Sequence, residues 1–550
     1  MEFRAAADID KASAEAHWGL ARAREGQGDV FDTINELRRT IELKSDHLDA
    51  KTKLGNYLLL VDPPQIQDTE KLLGEIFAVN PNFIEGHILK ASLLSAQKKS
   101  DKEVLDVLNH AISLDPNRVE SYLSLARFYM KTDKTGDAEN TIKKAISVNP
   151  NRALGYLEYA RFFGYSNRPT EAEAQFKKAV EVEPASIETR ESLANFYLGE
   201  RQLEKAEQAF KELAEAQGNS PEGRMQLAEF YAIVGREDDA INTFGEILKG
   251  APEYVRARYR LGEIFLERKE NEKVIEQVEK LLVINDDDAE ALMLRARVKM
   301  QENKADEAVK DLEEILKKQP SQKNALYYMA QARLQLGQVD QARAFIGDLE
   351  KYHPKYIYSK LLKVQASFTA NENQQALVEV NELLDAVKRS SPTAEISGQQ
   401  LERLRVQAIS ARGQAFLALG KINEARADLQ EVLKLSPNSS NAHVNLARVE
   451  QMSKNFPAAL GLYEKAFAID KKNFDALNGI VSVYKQQKQF APAQERIDKA
   501  LAENGAQKDV AASLHYLKAD VFISENNLQA AESELNKAVE LDNEYLPAYS

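Results

Sequence analysis

The stretch LANFYLGERQLEKAEQAFKELAEAQG, residues 193–218, contains the pattern that decides the fold. Apolar side chains recur at steps of three and four residues on both sides of a polar break at residues 199–202. Steps of that size place apolar side chains on one face of an α-helix. The stretch therefore predicts two amphipathic helices joined by a short turn.

The same pattern returns every 34 residues along most of the chain. One position of the pattern carries small residues and another carries larger apolar ones. The small ladder is Ala138, Ala172, Ala206, Ala240, Val274, Ala308, Ala342 and Ala376, and the large one is Phe176, Phe210, Phe244, Val278, Leu312 and Ile346. Because a single helix pair cannot bury its apolar face alone, we expect neighbouring pairs to stack into a continuous array.

One unit combines a Leu-Ala pair, an aromatic residue four positions after the leucine, a turn glycine, and then a small and an aromatic residue. These are Leu227, Ala228, Tyr231, Gly235, Ala240 and Phe244. With this pattern, repeated over practically its whole length, the chain resembles the tetratricopeptide repeat family. The resemblance implies an all-α fold, a right-handed superhelix or solenoid of about fifteen helix-turn-helix units.

Interruptions of the 34-residue spacing divide the predicted array. Residues 1–387 hold a partial repeat and about eleven repeats, and residues 405–550 hold about four, the last of them partial. Between them, residues 388–404 form an insertion, which we interpret either as a bend between two sub-arrays or as a tolerated longer loop. Smaller interruptions predict a lengthened turn at residues 62–64 and an insertion at residues 503–509.

The two ends read as incomplete repeats. Phe3 and Ala6 occupy positions typical of the end of a second helix, and the last residues, EYLPAYS, begin a helix that then stops. Arrays of this kind normally close with polar capping repeats. We therefore expect the chain to be a piece of a longer protein.

Composition and motifs argue against catalysis and against nucleic-acid binding. The formal net charge of −13 opposes a general affinity for nucleic-acid backbones, which requires clustered lysine and arginine. Cysteine is absent, the seven histidines are scattered, and we find no phosphate-binding loop or nucleophile motif, so we predict no catalytic residue, metal site or cofactor. We interpret Asp286–Asp288 as a helix cap. No apolar run is long enough to span a membrane.

The family resemblance implies that the first helices line an inner groove, with the residues two before and two after the repeat leucine facing inward. The candidate groove residues are Arg127, Arg161, Asn195, Glu229, Tyr259, Glu263, Met293, Arg297 and Tyr327. Aromatic, methionine and arginine side chains are typical of interface cores. The alternative is that these are ordinary solvated positions of helices.

Some chaperone-binding members of the family hold a C-terminal carboxylate with lysine, asparagine and arginine. Asn195 fits one such position. Glu191 and Gln226 stand where the next partners belong, so we predict no carboxylate clamp.

We therefore predict a non-enzymatic scaffold that binds a protein or an extended peptide along the inner face. The general style of the array is similar to long bacterial arrays, some of them in envelope or polysaccharide-export assemblies, which favours the periplasm or envelope over the cytoplasm. The competing interpretation is a targeting region of a larger enzyme such as a glycosyltransferase. A third is end-to-end self-association through uncapped ends.

Overall fold

The computed structural model describes residues 13–26, 30–61, 63–393, 396–504 and 507–542, and these residues form paired helices joined by short turns. We number the helices α1 to α30 in chain order, so that odd numbers are first helices and even numbers are second helices of each pair. The first helices are α1 (Ala14–Gly26), α3 (Leu48–Leu60), α5 (Ile84–Ala96), α7 (Val119–Lys131), α9 (Ala153–Tyr165), α11 (Ile187–Gly199), α13 (Pro221–Ile233), α15 (Val255–Glu267), α17 (Ala289–Gln301), α19 (Lys323–Gln335), α21 (Tyr358–Thr369), α23 (Gly398–Ala418), α25 (Ser440–Met452), α27 (Phe474–Gln486) and α29 (Lys508–Ser524).

The second helices alternate with them along the chain. They are α2 (Val30–Leu43), α4 (Ile66–Val79), α6 (Asp101–Leu114), α8 (Thr135–Val148), α10 (Pro169–Val182), α12 (Leu203–Ala216), α14 (Glu237–Gly250), α16 (Asn271–Ile284), α18 (Ala305–Lys318), α20 (Val339–Tyr352), α22 (Asn373–Arg389), α24 (Ile422–Leu435), α26 (Phe456–Ile469), α28 (Phe490–Asn504) and α30 (Leu528–Leu541). The described residues thus form about fifteen pairs, and the prediction of an all-α repeat array is confirmed.

The ladders seen in the sequence form the core between helices. Ala138, Ala172, Ala206 and Ala240 are completely buried, and so is Phe244. Within each compact unit, second helices pack against the first helix of their own pair and against the first helix of the next pair, for example α8 against α7 and α9. Small side chains at one position let the helices approach, and the larger ones fill the space between pairs, which is why the pairs stack in sequence order.

The link between consecutive repeats is held by a side chain that returns to a proline carbonyl. The hydroxyls of Tyr122 and Tyr156 donate to the carbonyl oxygens of Pro116 and Pro150 at 3.0 and 3.1 Å. The guanidinium of Arg190 donates equivalently to Pro184 at 3.1 Å. Proline ends a helix because it has no backbone N–H, and this bond satisfies its carbonyl next to the first turn of the following helix.

The interruptions in spacing are absorbed mainly as longer helices. Around the insertion at residues 388–404, α22 has 17 residues and α23 has 21, whereas other second and first helices typically have 14 and 13. Near residues 503–509, α29 has 17 residues. The turn between α3 and α4 is longer than those of its neighbours, although Asp62 within it lies outside the described residues. Residues 1–12 and 543–550 also lie outside the described residues. Our interpretation of the two ends as incomplete repeats concerns these residues and stays a prediction.

The chain divides into two compact units, residues 1–257 and 258–550. Unit 1 contains α1 to α14 and unit 2 contains α16 to α30, with the division near the start of α15. The division of the array at residues 388–404 stays a prediction. The acidic stretch at residues 286–288 ends one repeat, and the carboxylate of Asp288 accepts from the backbone N–H groups of Glu290 and Ala291, so its interpretation as a helix cap is confirmed.

Candidate functional site

The first helices present a surface of their own, which we call the first-helix face. Successive first helices contact one another directly, for example α3 with α5, α19 with α21 and α25 with α27. The placement of the residues two positions before and after the repeat leucine along an inner groove stays a prediction.

In unit 1, Arg127 and Arg161 converge on one carboxylate. Arg127 Nη2 lies 2.6 Å and Arg161 Nη1 lies 2.7 Å from Oε1 of Glu158, which is nearly buried. Burial opposes the charge of Glu158, but the hydrogen bonds and positive charges of the two arginines outweigh it and lower its pKa. The arginine side chains remain 57% and 50% exposed, so both stay accessible to a partner.

The next two candidates follow on the first helices α11 and α13. Asn195 is exposed and Glu229 is half-buried. Glu191, on the same helix as Asn195, is also half-buried. The absence of a carboxylate clamp in this region stays a prediction.

Of the five candidates in unit 2, four form polar contacts and one is buried; the contact of Tyr327 is described with its neighbours below. Glu263 pairs with Arg297 at 2.8 Å, and the hydroxyl of Tyr259 donates to Asp288 at 2.6 Å. Burial and the hydrogen bond to Asp288 raise the pKa of the Tyr259 hydroxyl. Met293 is only 8% exposed and packs in the core between α17, α18 and α19. Its placement in the groove is corrected, because a core side chain is not available to a partner.

A cavity of about 600 Å³ opens on the first-helix face of unit 2, between α17, α19 and α21. We call it the polar groove. Its lining consists of glutamines with a few apolar, aromatic and hydroxyl side chains and one arginine: Arg297, Met300, Gln301, Tyr328, Gln331, Leu334, Gln335, Gln365 and Thr369. Of the nine candidate groove residues, Arg297 is the one that belongs to this lining.

Hydrogen bonds fix several of the glutamine side chains in the polar groove. The amide of Gln301 donates to the carbonyl of Leu266 at 3.4 Å, and that of Gln335 donates to the carbonyl of Met300 at 3.3 Å. Both bonds reach back to the last turn of the preceding first helix, at carbonyls that also accept from the backbone N–H groups of Lys269 and Asn303. The lining is therefore partly preorganised, which reduces the entropy cost of binding.

Four tyrosines adjoin the polar groove and form a cluster that we call the tyrosine patch: Tyr327, Tyr328, Tyr356 and Tyr358. The ring of Tyr327 lies 5.2 Å from that of Tyr328, 6.0 Å from that of Tyr356 and 6.4 Å from that of Tyr358, all close to perpendicular. All four side chains are half-buried. Clustered, partly exposed tyrosines are typical of binding hot spots.

The sequence prediction included Tyr327 and missed the other three tyrosines and the glutamines at positions 301, 335 and 365. A signal was present in the local density of tyrosine: five of the 20 tyrosines of the chain fall between residues 327 and 358. The repeat register could not reveal the cluster, because Tyr356 and Tyr358 do not lie at the leucine-flanking positions used for the prediction.

Two further observations concern metal binding and membranes. In the part of the chain that the structure describes, no three histidine, aspartate or glutamate side chains are grouped so that they could hold a metal ion. The rings of His87 and His110 do approach each other, with centroids 4.7 Å apart. None of the described helices is long and apolar enough to cross a bilayer.

Family models described as tetratricopeptide repeat match residues 119–152, 165–229, 233–298, 299–368, 410–474, 451–515 and 512–545. Together these segments cover more than half of the chain. They include all three helices of the polar groove except the last residue of α21.

Two curated proteins are similar over part of their length. Cellulose synthase operon protein C of Xanthomonas axonopodis pv. citri is 28% identical over 173 residues, which cover 30% of this chain and 11% of that protein. Type IV pilus assembly protein PilF of Pseudomonas aeruginosa is 32% identical over 85 residues, which cover 16% of this chain and 34% of that protein. The chain thus spans about a tenth of the first relative and about a third of the second.

Among the solved structures that are similar to this chain are two at low sequence identity. The APC/C hetero-tetramer Cut9-Hcn1 has a TM-score of 0.41 and 12% identity, with 96% of this chain and 93% of that chain covered. A tetratricopeptide repeat protein from Parabacteroides merdae has a TM-score of 0.35 and 18% identity, with 54% of this chain and 98% of that chain covered.

Proposed function

The chain belongs to the tetratricopeptide repeat family, and on that premise we propose that it is a scaffold that binds a polypeptide partner through the polar groove of unit 2. The observation that carries the proposal is the cavity of about 600 Å³ between three successive first helices. A cavity of that size accommodates a short peptide segment. Its amide side chains can both donate to and accept from a peptide backbone.

The wider setting of this scaffold is part of the proposal. One similar protein is named for a cellulose synthase operon and the other for type IV pilus assembly, which supports a role in a bacterial multiprotein assembly at the envelope. A role as the targeting region of a larger enzyme, such as a glycosyltransferase, and end-to-end self-association both stay predictions.

Selection from a random-peptide library displayed on phage, with the whole chain as target, tests the proposed site. We expect peptides whose binding weakens about tenfold in the double variant Q331R/Q365R, because two long charged side chains then fill the polar groove. The matched control is Q341R, an exposed glutamine of the second helix α20 in the same unit, which should change the affinity less than twofold. Affinities are measured by fluorescence anisotropy with synthetic copies of the selected peptides.

Circular dichroism melts of all variants establish that each remains folded. The proposal fails if the library returns no binder. It also fails if every selected peptide binds the folded Q331R/Q365R variant as tightly as it binds the unsubstituted chain.

A further inference from the structure

The tyrosine patch and the polar groove form one continuous surface. Tyr328 lines the groove and its ring lies 5.2 Å from that of Tyr327. The amide of Gln331, another lining residue, donates to the hydroxyl oxygen of Tyr327 at 2.9 Å. Because that oxygen accepts the bond, the hydroxyl hydrogen of Tyr327 is left to donate to a ligand. A ligand that lies in the polar groove and extends beyond it would therefore contact the tyrosine patch.

The lining of the polar groove has almost no net charge, although the whole chain carries −13, and in the tyrosine patch the ammonium of Lys323 lies 5.4 Å from the centroid of the Tyr356 ring. The arginine of the groove, Arg297, is paired with Glu263 at 2.8 Å. Burial raises the pKa of Tyr327 to about 12 and also raises that of Tyr328, so both hydroxyls stay neutral donors under physiological conditions. The remaining lining residues are glutamines, threonine and apolar side chains. A charged ligand in the polar groove would lose its hydration, and the one charged lining residue, Arg297, is already paired.

The groove also has a regular spacing along its length. Arg297, Gln331 and Gln365 occupy equivalent positions on α17, α19 and α21, 34 residues apart. Packed helices lie about 8–10 Å apart. A polyproline II helix rises about 3.1 Å per residue with three residues per turn, so each turn advances about 9.3 Å. The same side of such a ligand would thus face each successive first helix, whereas successive residues of a β-strand alternate between opposite faces.

Resting on the proposed function, we propose that the partner segment is proline-rich, uncharged and in the polyproline II conformation, with prolines packed on the tyrosine patch and carbonyls hydrogen-bonded in the polar groove. Near-perpendicular tyrosine rings leave notches between a ring face and a ring edge, and a pyrrolidine ring presents an apolar surface to such notches. Aromatic-lined grooves are a general means of recognising proline-rich segments.

Hydrogen bonding and entropy favour the same ligand. A polyproline II helix has no internal hydrogen bonds, so its carbonyls are free to accept from the Tyr327 hydroxyl and from glutamine amides. Proline has no backbone N–H, so a groove with mixed amide and hydroxyl groups leaves no ligand donor unsatisfied. The ligand is already extended before it binds, which limits the ordering cost.

Fluorescence anisotropy with three labelled probes tests the inference: a peptide of twelve prolines, a Gly/Ser peptide of equal length, and cellohexaose. We expect the oligoproline to bind the whole chain at least about tenfold more tightly than the Gly/Ser peptide. Its affinity should change less than about twofold between roughly 50 and 500 mM NaCl, because salt screens interactions between charges and no ion pair forms with this ligand. The variant Y327A/Y358A should weaken oligoproline binding about tenfold.

Two controls separate a lost contact from lost folding. Y352A removes an exposed tyrosine of the second helix α20 and should leave binding within twofold. Because the double variant removes two half-buried rings, the single variant Y358A, at the first residue of α21, is measured as well, and both are checked by circular dichroism. A folded Y358A that keeps full oligoproline affinity overturns the inference.

The outcomes distinguish the two proposals. If oligoproline binds no more tightly than the Gly/Ser peptide, while library peptides without proline depend on Gln331 and Gln365, the peptide-binding function stands and the inference falls. If cellohexaose alone binds and requires the tyrosines, the surface recognises a neutral glycan and the inference is wrong. If no probe or library peptide depends on the groove, both proposals fall.

Discussion

At the scale of single residues, Arg412 occupies the position that the leucine of the Leu-Ala pair holds in other repeats. An ion pair takes the place of the apolar contact there. Arg412 Nε and Nη2 lie 2.7 and 2.8 Å from the two carboxylate oxygens of Asp428, which is nearly buried. Arg295 and Asp311 form the same two bonds at 3.0 and 2.8 Å in another repeat of unit 2. The planar guanidinium matches the carboxylate in both cases, so the pair keeps the two helices of a repeat together through polar contacts.

Substitution of Arg412 alone should therefore lower the free energy of unfolding more than substitution of Arg412 and Asp428 together. R412L leaves the nearly buried carboxylate of Asp428 without its guanidinium, and we expect it to lower the free energy of unfolding by roughly 3 kcal/mol. R412L/D428L restores an apolar contact and should recover most of that loss. Thermal unfolding followed by circular dichroism gives both values. Equal losses in the single and double variants would mean that the ion pair is not what stabilises this position.

At the scale of structural elements, the turn inside each repeat requires a left-handed residue. Backbone φ is positive at equivalent positions throughout the array, where three residues are glycine and the others carry side chains. They are Lys98, Asp133, Asn167, Arg201, Gly235, Lys269, Asn303, Gly337, Asn371, Gly420, Lys454, Lys488 and Asn526. A left-handed residue ends the first helix and starts the turn, and glycine adopts that conformation without the strain caused by a Cβ atom.

We expect K454G to stabilise its repeat, because φ of Lys454 is +59°. Removing the Cβ strain should raise the free energy of unfolding by about 0.5–1 kcal/mol, after the greater flexibility of glycine in the unfolded chain is taken into account. G420K, at the equivalent turn of the preceding repeat, should lower it by a similar amount. Urea unfolding of both variants checks the sign. A loss of stability in K454G would show that the lysine side chain contributes more than the strain costs.

At the scale of the whole molecule, consecutive repeats in unit 1 are joined by tyrosine–glutamate bonds. The tyrosine lies on a first helix and the glutamate on the second helix of the preceding repeat, and the pairs are Tyr159–Glu139 at 2.9 Å, Tyr197–Glu173 at 3.0 Å and Tyr231–Glu207 at 2.9 Å. The three glutamates are 34 residues apart. The hydrogen bond from a lysine four residues on, Lys177 or Lys211, is the largest cause that lowers the pKa of Glu173 and Glu207 to about 2.

The hydrogen bonds that these glutamates accept from lysine and tyrosine predict a loss of stability in acid. The pKa of Glu173 and Glu207 is lower in the folded chain than the ordinary value of 4.5, so the unfolded chain binds more protons between the two values. The stability that they contribute is complete above about pH 4.5 and is lost as the pH falls toward about 2. We expect the triple variant E139Q/E173Q/E207Q to be less stable at pH 7 by roughly 1 kcal/mol per bond and to show a flatter pH dependence.

Circular dichroism melts between about pH 7 and pH 2.5 measure this difference. The matched control E181Q removes a glutamate in the same unit whose ion pair is with the exposed Lys178, and it should leave the pH profile unchanged. Parallel acid profiles for the unsubstituted chain and the triple variant would show that these bonds do not govern acid stability.

Much of the fold could be predicted from the sequence because each repeat contains the small and large apolar residues that determine its own helix pair. The alanine ladder through Ala240 and the large apolar ladder through Phe244 predicted helix pairs that the structure confirms. The insertion at residues 388–404 was harder to interpret. Helix extension and loop insertion both lengthen a repeat by the same number of residues, and only the structure shows that α22 and α23 take up most of it.

The sequence by itself determined the period, the helix pairs and the family, because the small and large apolar residues that recur every 34 positions are the ones that each helix pair must bury. The tertiary structure alone decided which first-helix positions are open to a partner. Met293 and Tyr327 are equivalent in the sequence pattern, yet one is buried in the core and the other joins the tyrosine patch. The physical reason is that exposure depends on the side chains of adjacent repeats, and Tyr356 and Tyr358 reach Tyr327 only once the repeats have stacked.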